Sequence, residues 1–298
     1  MGIVLGTSTS GILSGEDLLI HLQQHGIPPR NYHYRQQELG SPSEFLAKYL
    51  NLTGPAYTLS TACSSSAKAF ISAKHQLNMG LCDAVIVGGV DTLCQLTVNG
   101  FDGLESLSVS RCNPLSRNRN GINIGEGCAL FVLSREDGAV VLSGCGESSD
   151  AYHVSAPDPE GRGAAQAMCL ALEDAGLTPE EIGYINLHGT ATPLNDSMEA
   201  KAVVEIFGSE ILSGSTKPLT GHTLCAAGAI EAALCWIVLT EEGERRVPPN
   251  LWDGVRDPKL PDIRISERGD VMTSRYCMSN SFAFGGNNVS LIFGRAYG

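Results

Sequence analysis

The stretch Tyr57-Thr58-Leu59-Ser60-Thr61-Ala62-Cys63-Ser64-Ser65-Ser66-Ala67 (residues 57–67) places a cysteine between a strand and a helix. Its first half favours a buried strand, and the small residues after Cys63 favour a closely packed helix. The sulfur would then lie beside unpaired helical N–H groups, which favour a thiolate. A helix terminus contributes only about 0.3–2 kcal/mol, so its dipole lowers a cysteine pKa by about one unit. We therefore expect a nucleophile only if neighbouring groups assist, with a buried structural cysteine as the alternative.

The rest of the chain repeats this organisation. Apolar β-branched runs alternate with longer helical patterns, which is typical of an α/β protein with buried strands. In the second half, Thr220-Gly221-His222 precedes the small-residue stretch Leu224-Cys225-Ala226-Ala227-Gly228. A duplicated architecture is therefore plausible, divided at the turn around residues 134–138 into an N-terminal half, 1–136, and a C-terminal half, 137–298.

The patterns predict nine strands and five helices. We expect strands near 2–6, 56–61, 83–89, 128–133, 139–146, 183–188, 211–215, 275–280 and 288–294. We expect helices at 43–50, 64–79, 162–175, 195–207 and 223–240. Thr178-Pro179-Glu180-Glu181 has the spacing of a capping box and predicts a short helical turn.

Composition excludes several classes of protein. The 298 residues include 20 Lys plus Arg and 32 Asp plus Glu, and the net charge of −12 opposes nucleic-acid binding. No apolar run reaches the roughly 20 residues that a membrane span requires, and no signal segment precedes residues 2–6, so we expect a cytoplasmic protein. The ten cysteines show no CxxC pair and no metal-ligand spacing, which indicates a reducing compartment and no metal site.

Three further segments hold polar groups at element ends. His188 follows an apolar strand and His222 precedes a small-residue helix, and glycines beside both would allow a ligand to approach. The segment 280–288 sets aromatic residues beside glycines, where backbone N–H groups could form an oxyanion hole. The other histidines are interpreted as ordinary surface or core groups, and Asp150 and Glu199 as solvated charges without a chemical role.

The order of these segments resembles a known family. Thr61-Ala62-Cys63-Ser64-Ser65 is followed by His188-Gly189-Thr190-Ala191-Thr192, then by Lys217-Pro218-Leu219-Thr220-Gly221-His222, then by 280–288. This set closely resembles the β-ketoacyl-acyl-carrier-protein synthases with a Cys-His-His site, over residues 2–294. Shorter segments resemble the branch that serves bacterial aryl polyene pigment clusters: 6–11, 37–40, 99–101, 104–108 and 194–196.

The resemblance implies a thiolase-like fold, with two similar βαβαβαββ halves, and a decarboxylative Claisen condensation. It assigns acyl transfer to Cys63 and malonyl decarboxylation to His188 and His222. Backbone N–H groups of Cys63 and Phe284 would form the oxyanion hole. The resemblance also assigns acyl-pocket gating to the Phe284 ring, a supporting ion pair to Lys217 and Glu231, and phosphopantetheine contacts to Thr190 and Thr192.

The implied partners are an acyl carrier protein and a second ketosynthase-like subunit. The substrates would arrive on the carrier's phosphopantetheine, so no cofactor is expected. The dimer would be a homodimer or, preferably, a heterodimer with a chain-length-factor homologue. Because family carriers are acidic, we expect local positive charge at the docking site, with four candidates: Lys68, Lys74, Arg117 and Arg119.

Two departures from the family leave alternatives open. The family's first half begins with a strand and a helix ahead of the segment at residues 2–6, and we expect the missing strand to be central in its sheet. Ala283 replaces a glycine of many relatives, which would raise the cost of opening the gate. A truncated, inactive subunit that only dimerises or binds carrier protein is one alternative. A second alternative is a thiolase-type acyltransferase, although a thiolase would need a second active-site cysteine. A third is a non-catalytic chain-length factor, although such a subunit would lack Cys63.

Overall fold

The computed structural model describes residues 1–296 as an α/β fold with nine strands and eight α-helices. The strands are β1 (Gly2–Gly6), β2 (Ala56–Leu59), β3 (Ala84–Asp91), β4 (Gly127–Ser134), β5 (Val140–Ser149), β6 (Ile182–Asn186), β7 (Ser213–Gly214), β8 (Tyr276–Ala283) and β9 (Asn287–Arg295). The helices are α1 (Ile12–His25), α2 (Ser41–Tyr49), α3 (Ser65–Asn78), α4 (Gln95–Gly103), α5 (Arg162–Ala175), α6 (Pro193–Phe207), α7 (Lys217–Thr220) and α8 (Ala227–Thr240).

The strands form two sheets of matching topology. The first has the order β2-β1-β3-β4, and the second has the order β7-β6-β8-β9-β5. In each sheet three strands are parallel and the fourth, β4 or β9, is antiparallel to its neighbour. Only β9 has a further antiparallel partner, which is β5. This internal match confirms the predicted fold class of two similar halves.

The first sheet has one strand fewer than the second, among the described residues. In the second sheet, the additional strand β5 lies at the edge, next to β9. Since β4 corresponds to β9, the position without a strand in the first sheet is the edge next to β4. The expectation that the missing strand is central is therefore wrong. The outward side chains of β4 are exposed, with Leu130 at 47 % and Val132 at 64 %. Their counterparts on β9 are buried, because α5 covers that strand.

Helices α3 and α8 lie between the two sheets and form the centre of the core. Apolar side chains of both helices pack with those of β3, β4 and β9 in one buried cluster. The two helices approach closely where Gly228 faces Ala67, since a Cβ at Gly228 would lie 2.9 Å from the Cβ of Ala67. This close contact joins the start of α3 to the start of α8, where the candidate site lies.

All nine predicted strands and all five predicted helices are present, with ends that differ by a few residues. The capping box at Thr178 is also confirmed, since the Thr178 N–H donates to the Glu181 carboxylate over 2.9 Å. Helices α1, α4 and α7 were not predicted, and α7 is a single turn of four residues. Glycines interrupt α1 and α4, and α1 leaves Leu19 and Ile20 exposed to solvent, so the apolar side chains of α1 do not all face the core.

Within residues 1–296, no helix combines the length and apolar character that crossing a bilayer demands. All ten cysteines are free thiols, and seven of them are buried. Most cysteines are therefore small core side chains, as the sequence indicated.

Candidate active site

Cys63 lies in the turn between β2 and α3 and lines a mostly apolar cavity. The turn is tight because Ala62 adopts a left-handed conformation with φ 51°, which is unusual for a residue with a Cβ. The Ala62 carbonyl accepts hydrogen bonds from the backbone N–H of Ser65, over 3.1 Å, and from its hydroxyl, over 2.6 Å. These bonds hold the Cys63 sulfur at the end of the strand, as predicted.

His222 reaches the same point from the second half of the chain. Helix α7 ends at Gly221, whose φ of 70° turns the backbone so that His222 faces the first half. The His222 N–H donates to the Asn123 carbonyl over 2.7 Å. Its Nε2 atom lies 3.0 Å from Cys63 Sγ, within hydrogen-bond distance. Residues 159 positions apart thus form a thiol–imidazole pair.

His188 completes the group just beyond the end of β6. The backbone N–H groups of His188 and Gly189 donate to the Glu199 carboxylate over 2.7 and 2.8 Å. The His188 ring centroid lies 5.4 Å from that of His222, with the rings nearly perpendicular. One ligand atom from Cys63 and one from each histidine all lie within 4.8 Å of one another. A thiol with two imidazoles is also a donor set that Zn²⁺ accepts.

Burial sets the charge of all three groups. Desolvation raises the pKa of the Cys63 thiol to about 12, although the nearby Lys217 ammonium opposes this. The same desolvation, with Lys217, holds the pKa of both His188 and His222 well below the usual value. The expectation that the helix terminus would favour a resting thiolate is therefore wrong, because the cost of desolvating the charge is larger. Both directions favour a neutral thiol and neutral imidazoles in the resting site.

Lys217 and Glu231 form the predicted ion pair, with Nζ 2.5 Å from Oε1. Both side chains are about 2 % exposed, and neither lines the cavity. Burial raises the pKa of Glu231, and the Lys217 ammonium opposes that rise. The pair therefore acts on the site through the field of Lys217, which disfavours a charged imidazole at either histidine.

The cavity above Cys63 has a volume of about 290 Å³. Its walls are mostly apolar, and they include six of the residues predicted for the site: Cys63, His188, Thr190, Thr192, His222 and Phe284. The Thr190 and Thr192 hydroxyls lie 2.9 Å apart. A hydrophobic chain could therefore enter this cavity with its reactive end beside the thiol and both imidazoles.

Comparison with known proteins identifies the family. Profiles of the β-ketoacyl synthase N-terminal and C-terminal domains match residues 1–139 and 139–251. The 3-oxoacyl-[acyl-carrier-protein] synthase 2 of Synechocystis sp. is 32 % identical over 313 residues, which cover 98 % of this chain and 74 % of the relative. This chain belongs to the β-ketoacyl synthase family. The Staphylococcus aureus protein of the same name is 34 % identical, and the match covers 82 % of this chain and 62 % of that protein.

Solved structures of ketosynthases agree with this assignment. The ketosynthase ApeO, in complex with its chain length factor ApeC, from Xenorhabdus doucetiae is 52 % identical with a TM-score of 0.93; the match covers 99 % of this chain and 74 % of that one. The ishigamide ketosynthase/chain length factor is 30 % identical with a TM-score of 0.90, over 100 % of this chain and 75 % of that one. The predicted condensing, acyltransferase class and the thiolase-like fold are confirmed.

The segment to which the resemblance assigns gating is the turn between β8 and β9. The Phe284 residue is 37 % exposed, and its ring contacts that of Phe101 in a tilted arrangement, with centroids 5.8 Å apart and planes at 33°. Ala283 itself has an extended φ of −109°, while Gly285 and Gly286 carry the positive φ values of 80° and 73°. The flexible positions of the turn therefore follow Phe284, and Ala283 lies in regular strand.

Two buried carboxylates of the synthase were missed by sequence reasoning. Glu199 is only 1 % exposed and supports the His188 backbone, so its interpretation as a solvated charge is wrong. Asp196 is fully buried and accepts the N–H groups of Ala191 and Leu115. The sequence did offer a signal for these two supporting carboxylates. Both residues lie on the helix that follows His188-Gly189-Thr190, from which acidic side chains can reach the backbone N–H groups of that loop.

Asp150 also has structural partners. Its carboxylate accepts a 2.7 Å hydrogen bond from the Asn288 amide, and its N–H donates to the Gly286 carbonyl. Asp150 lines the cavity as well. Asp150 therefore braces the turn between β8 and β9 while remaining partly exposed, so its interpretation as a solvated charge is not contradicted.

The basic residues expected to meet a carrier protein are mostly engaged. Lys68 pairs with Glu147 at 3.0 Å and Lys74 with Asp174 at 2.5 Å. Arg119 is largely buried against Asp257. Arg117 is the exposed member of the four. The two lysines join the halves of the synthase and are weak candidates for docking.

Proposed function

We propose that this chain extends acyl chains held on a carrier protein, using Cys63 as nucleophile and His188 and His222 as its assisting groups. The observation that supports this most directly is the 3.0 Å contact between His222 Nε2 and Cys63 Sγ at the floor of an apolar cavity. A neutral thiol needs a base when it attacks, and a neutral imidazole in contact is such a base.

The first step transfers the acyl group. Cys63 Sγ attacks the thioester carbonyl of the acyl carrier while its proton passes to His222. The carbon–sulfur bond to the phosphopantetheine then breaks, and the released thiolate takes up the proton. The backbone N–H groups of Cys63 and Phe284 would hold the oxyanion of the intermediate. Thr190 and Thr192 would contact the phosphopantetheine arm.

The second step uses malonyl carried by a second phosphopantetheine. Both imidazoles donate hydrogen bonds to its thioester carbonyl, which stabilises the enolate formed when CO₂ leaves. The enolate carbon attacks the acyl-Cys63 carbonyl, a carbon–carbon bond forms, and the bond to Cys63 Sγ breaks. The products are the β-ketoacyl carrier and a Cys63 thiolate, which is reprotonated. Depressed histidine pKa values suit this role, because a neutral imidazole has one N–H donor and one basic nitrogen, whereas an imidazolium has no basic nitrogen.

We propose an aryl polyene as the growing chain. The support is the 52 % identity with ApeO and the resemblance of five segments to that branch: 6–11, 37–40, 99–101, 104–108 and 194–196. The Phe101 and Phe284 rings on the cavity wall would stack against a flat conjugated chain.

We propose a heterodimer with a chain-length-factor homologue as the working form in the cytoplasm. The ApeO structure contains such a partner. In this chain, β2 is an open sheet edge, and beside it Phe45, Tyr49 and Tyr57 are 66 %, 75 % and 37 % exposed. An open edge with large exposed apolar side chains is typical of a protein interface.

We also propose that the chain divides into its N-terminal and C-terminal halves between residues 136 and 137.

A binding subunit without turnover is the second candidate, supported by the first sheet having one strand fewer than the second. The test is an intact-mass measurement after incubation with acyl carrier protein, with and without the chain-length-factor partner. A mass gain equal to the acyl group, absent in Cys63→Ala, supports the synthase. No gain under either condition contradicts it and favours the binding subunit.

A further inference from the structure

Cys225 is a second thiol beside the nucleophile, and it does not line the cavity. It is fully buried in the turn Leu224–Ala226, three residues after His222. Its Sγ lies 2.9 Å from the Ala62 carbonyl oxygen, to which it donates. It also lies 2.8 Å from the Ser65 hydroxyl oxygen. The side chain thus reaches from the second half of the chain to the turn that carries Cys63.

The carbonyl that Cys225 contacts belongs to a strained residue. Ala62 has φ 51°, a conformation that costs an L-residue free energy and persists only where neighbouring groups hold it. Its carbonyl accepts from the Ser65 N–H, the Ser65 hydroxyl and the Cys225 thiol. Two of these donors belong to Ser65 at the start of α3, whereas Cys225 belongs to the second half of the chain.

Cys225 is itself held in place by a buried carboxylate. Its backbone N–H donates to Asp91 Oδ2 over 2.7 Å. Asp91 is 2 % exposed and also accepts hydrogen bonds from the backbone and hydroxyl groups of Ser8 and Thr9. The thiol donor therefore has little freedom to move relative to Ala62.

We propose that Cys225 is a positioning residue for the nucleophile. Its thiol fixes the Ala62 peptide, and the same short segment carries His222, whose imidazole contacts Cys63 Sγ. One segment of the second half thus sets both the turn beneath the sulfur and the base beside it. The inference rests on the nucleophile role proposed for Cys63, and it adds a residue to which neither the sequence nor the resemblance gave a role.

The test measures the alkylation rate of Cys63 by iodoacetamide, followed by peptide mass analysis. This readout needs no carrier protein or acyl substrate, so its outcome is independent of whether condensation is found. The exposed thiol of Cys169 serves as an internal reference for the reagent. Cys63→Ala gives the background at that peptide.

Cys225→Ala should slow Cys63 alkylation roughly 3- to 10-fold, the range expected from loss of one hydrogen bond. Cys225→Ser retains a donor and should restore the rate to within about twofold of the original. The matched control is Cys235→Ala, which removes a thiol of equal size that is 1 % exposed and lies ten residues further along the chain, within α8. It should leave the rate unchanged.

Three results would overturn the proposal: an unchanged rate in Cys225→Ala, an equal loss in Cys235→Ala, or failure of Cys225→Ser to restore the rate. If Cys225→Ala does not fold, as judged by thermal unfolding, Cys225→Val provides a variant of similar volume without a donor. With acyl carrier protein as substrate, the positioning role also predicts a lower maximal acyl-transfer rate at an unchanged half-saturating concentration.

Discussion

At the scale of single residues, the charge state of Cys63 governs its reactivity. Burial raises the pKa of its thiol to about 12, so the thiolate is a minor species at neutral pH. Below its pKa, the thiolate fraction of an isolated thiol rises about tenfold per pH unit. We therefore expect the alkylation rate of Cys63 to rise steadily from pH 7 to pH 9.5, without a plateau. A plateau beginning near pH 7 would indicate a resting thiolate–imidazolium pair.

The two histidines should differ in their effect on acyl transfer. His222 contacts Cys63 Sγ, so His222→Ala should slow both acylation of Cys63 and malonyl decarboxylation, by about 10²-fold or more for the step it assists. His188→Ala should slow decarboxylation and largely retain acylation. Single-turnover acylation and release of labelled CO₂ measure the two steps separately. Equal acylation rates in the two variants would contradict the roles assigned by this geometry.

At the scale of elements, α6 supports His188 through a buried acid. Burial raises the pKa of Glu199 from 4.5 to about 7, against the effect of two backbone N–H donors. The folded state therefore binds more protons than the unfolded state, and its stability falls as pH rises from about 4.5 to about 7. Glu199→Gln should flatten this dependence in urea unfolding at pH 5 and pH 7.5.

Glu205→Gln is the control for that measurement, because Glu205 is exposed on the same helix. This variant should keep the pH dependence of the original protein. If Glu199→Gln also keeps it, another group is responsible for the stability loss in this pH window.

In the turn between β8 and β9, we expect the proposed gate to require glycine at position 286. A Cβ at Gly286 would lie 2.8 Å from Asp150 Cβ, at a φ of 73°. Gly286→Ala should therefore displace the loop from Asp150 and slow Cys63 acylation by about tenfold or more. Gly269→Ala is matched for positive φ but has open space around it. Ala283→Gly should change the rate less than twofold, since Ala283 is already extended.

At the scale of the whole molecule, we expect the apolar surface beside β2 to form the proposed partner interface. Tyr49 is 75 % exposed on α2, next to the open sheet edge. Tyr49→Asp should weaken association with the chain-length-factor partner by at least tenfold, because it buries a charge in an apolar interface. Sedimentation measures the change. Ile237→Asp on α8, 56 % exposed, is the control and should assemble normally.

The sequence by itself determined the fold class, the order of nine strands and the choice of Cys63, His188 and His222 as candidate site residues. These features depend on local patterns and on the order of motifs along the chain. It also predicted the Lys217–Glu231 pair. Helices α1, α4 and α7 were not predicted, since glycines interrupt the first two and α7 is a single turn. Local spacing was sufficient to predict a strand or helix where the residues of that element alone show its apolar pattern.

Only the tertiary structure decided how the site is charged and supported. Burial, which local sequence does not report, reversed the expected direction of the Cys63 pKa shift. It also turned Glu199 from a solvated charge into a buried support for His188. The contact of Cys225 with Ala62 joins residues 163 positions apart. Such contacts form only when two sheets close on shared helices, so their physical cause lies in packing of the whole chain.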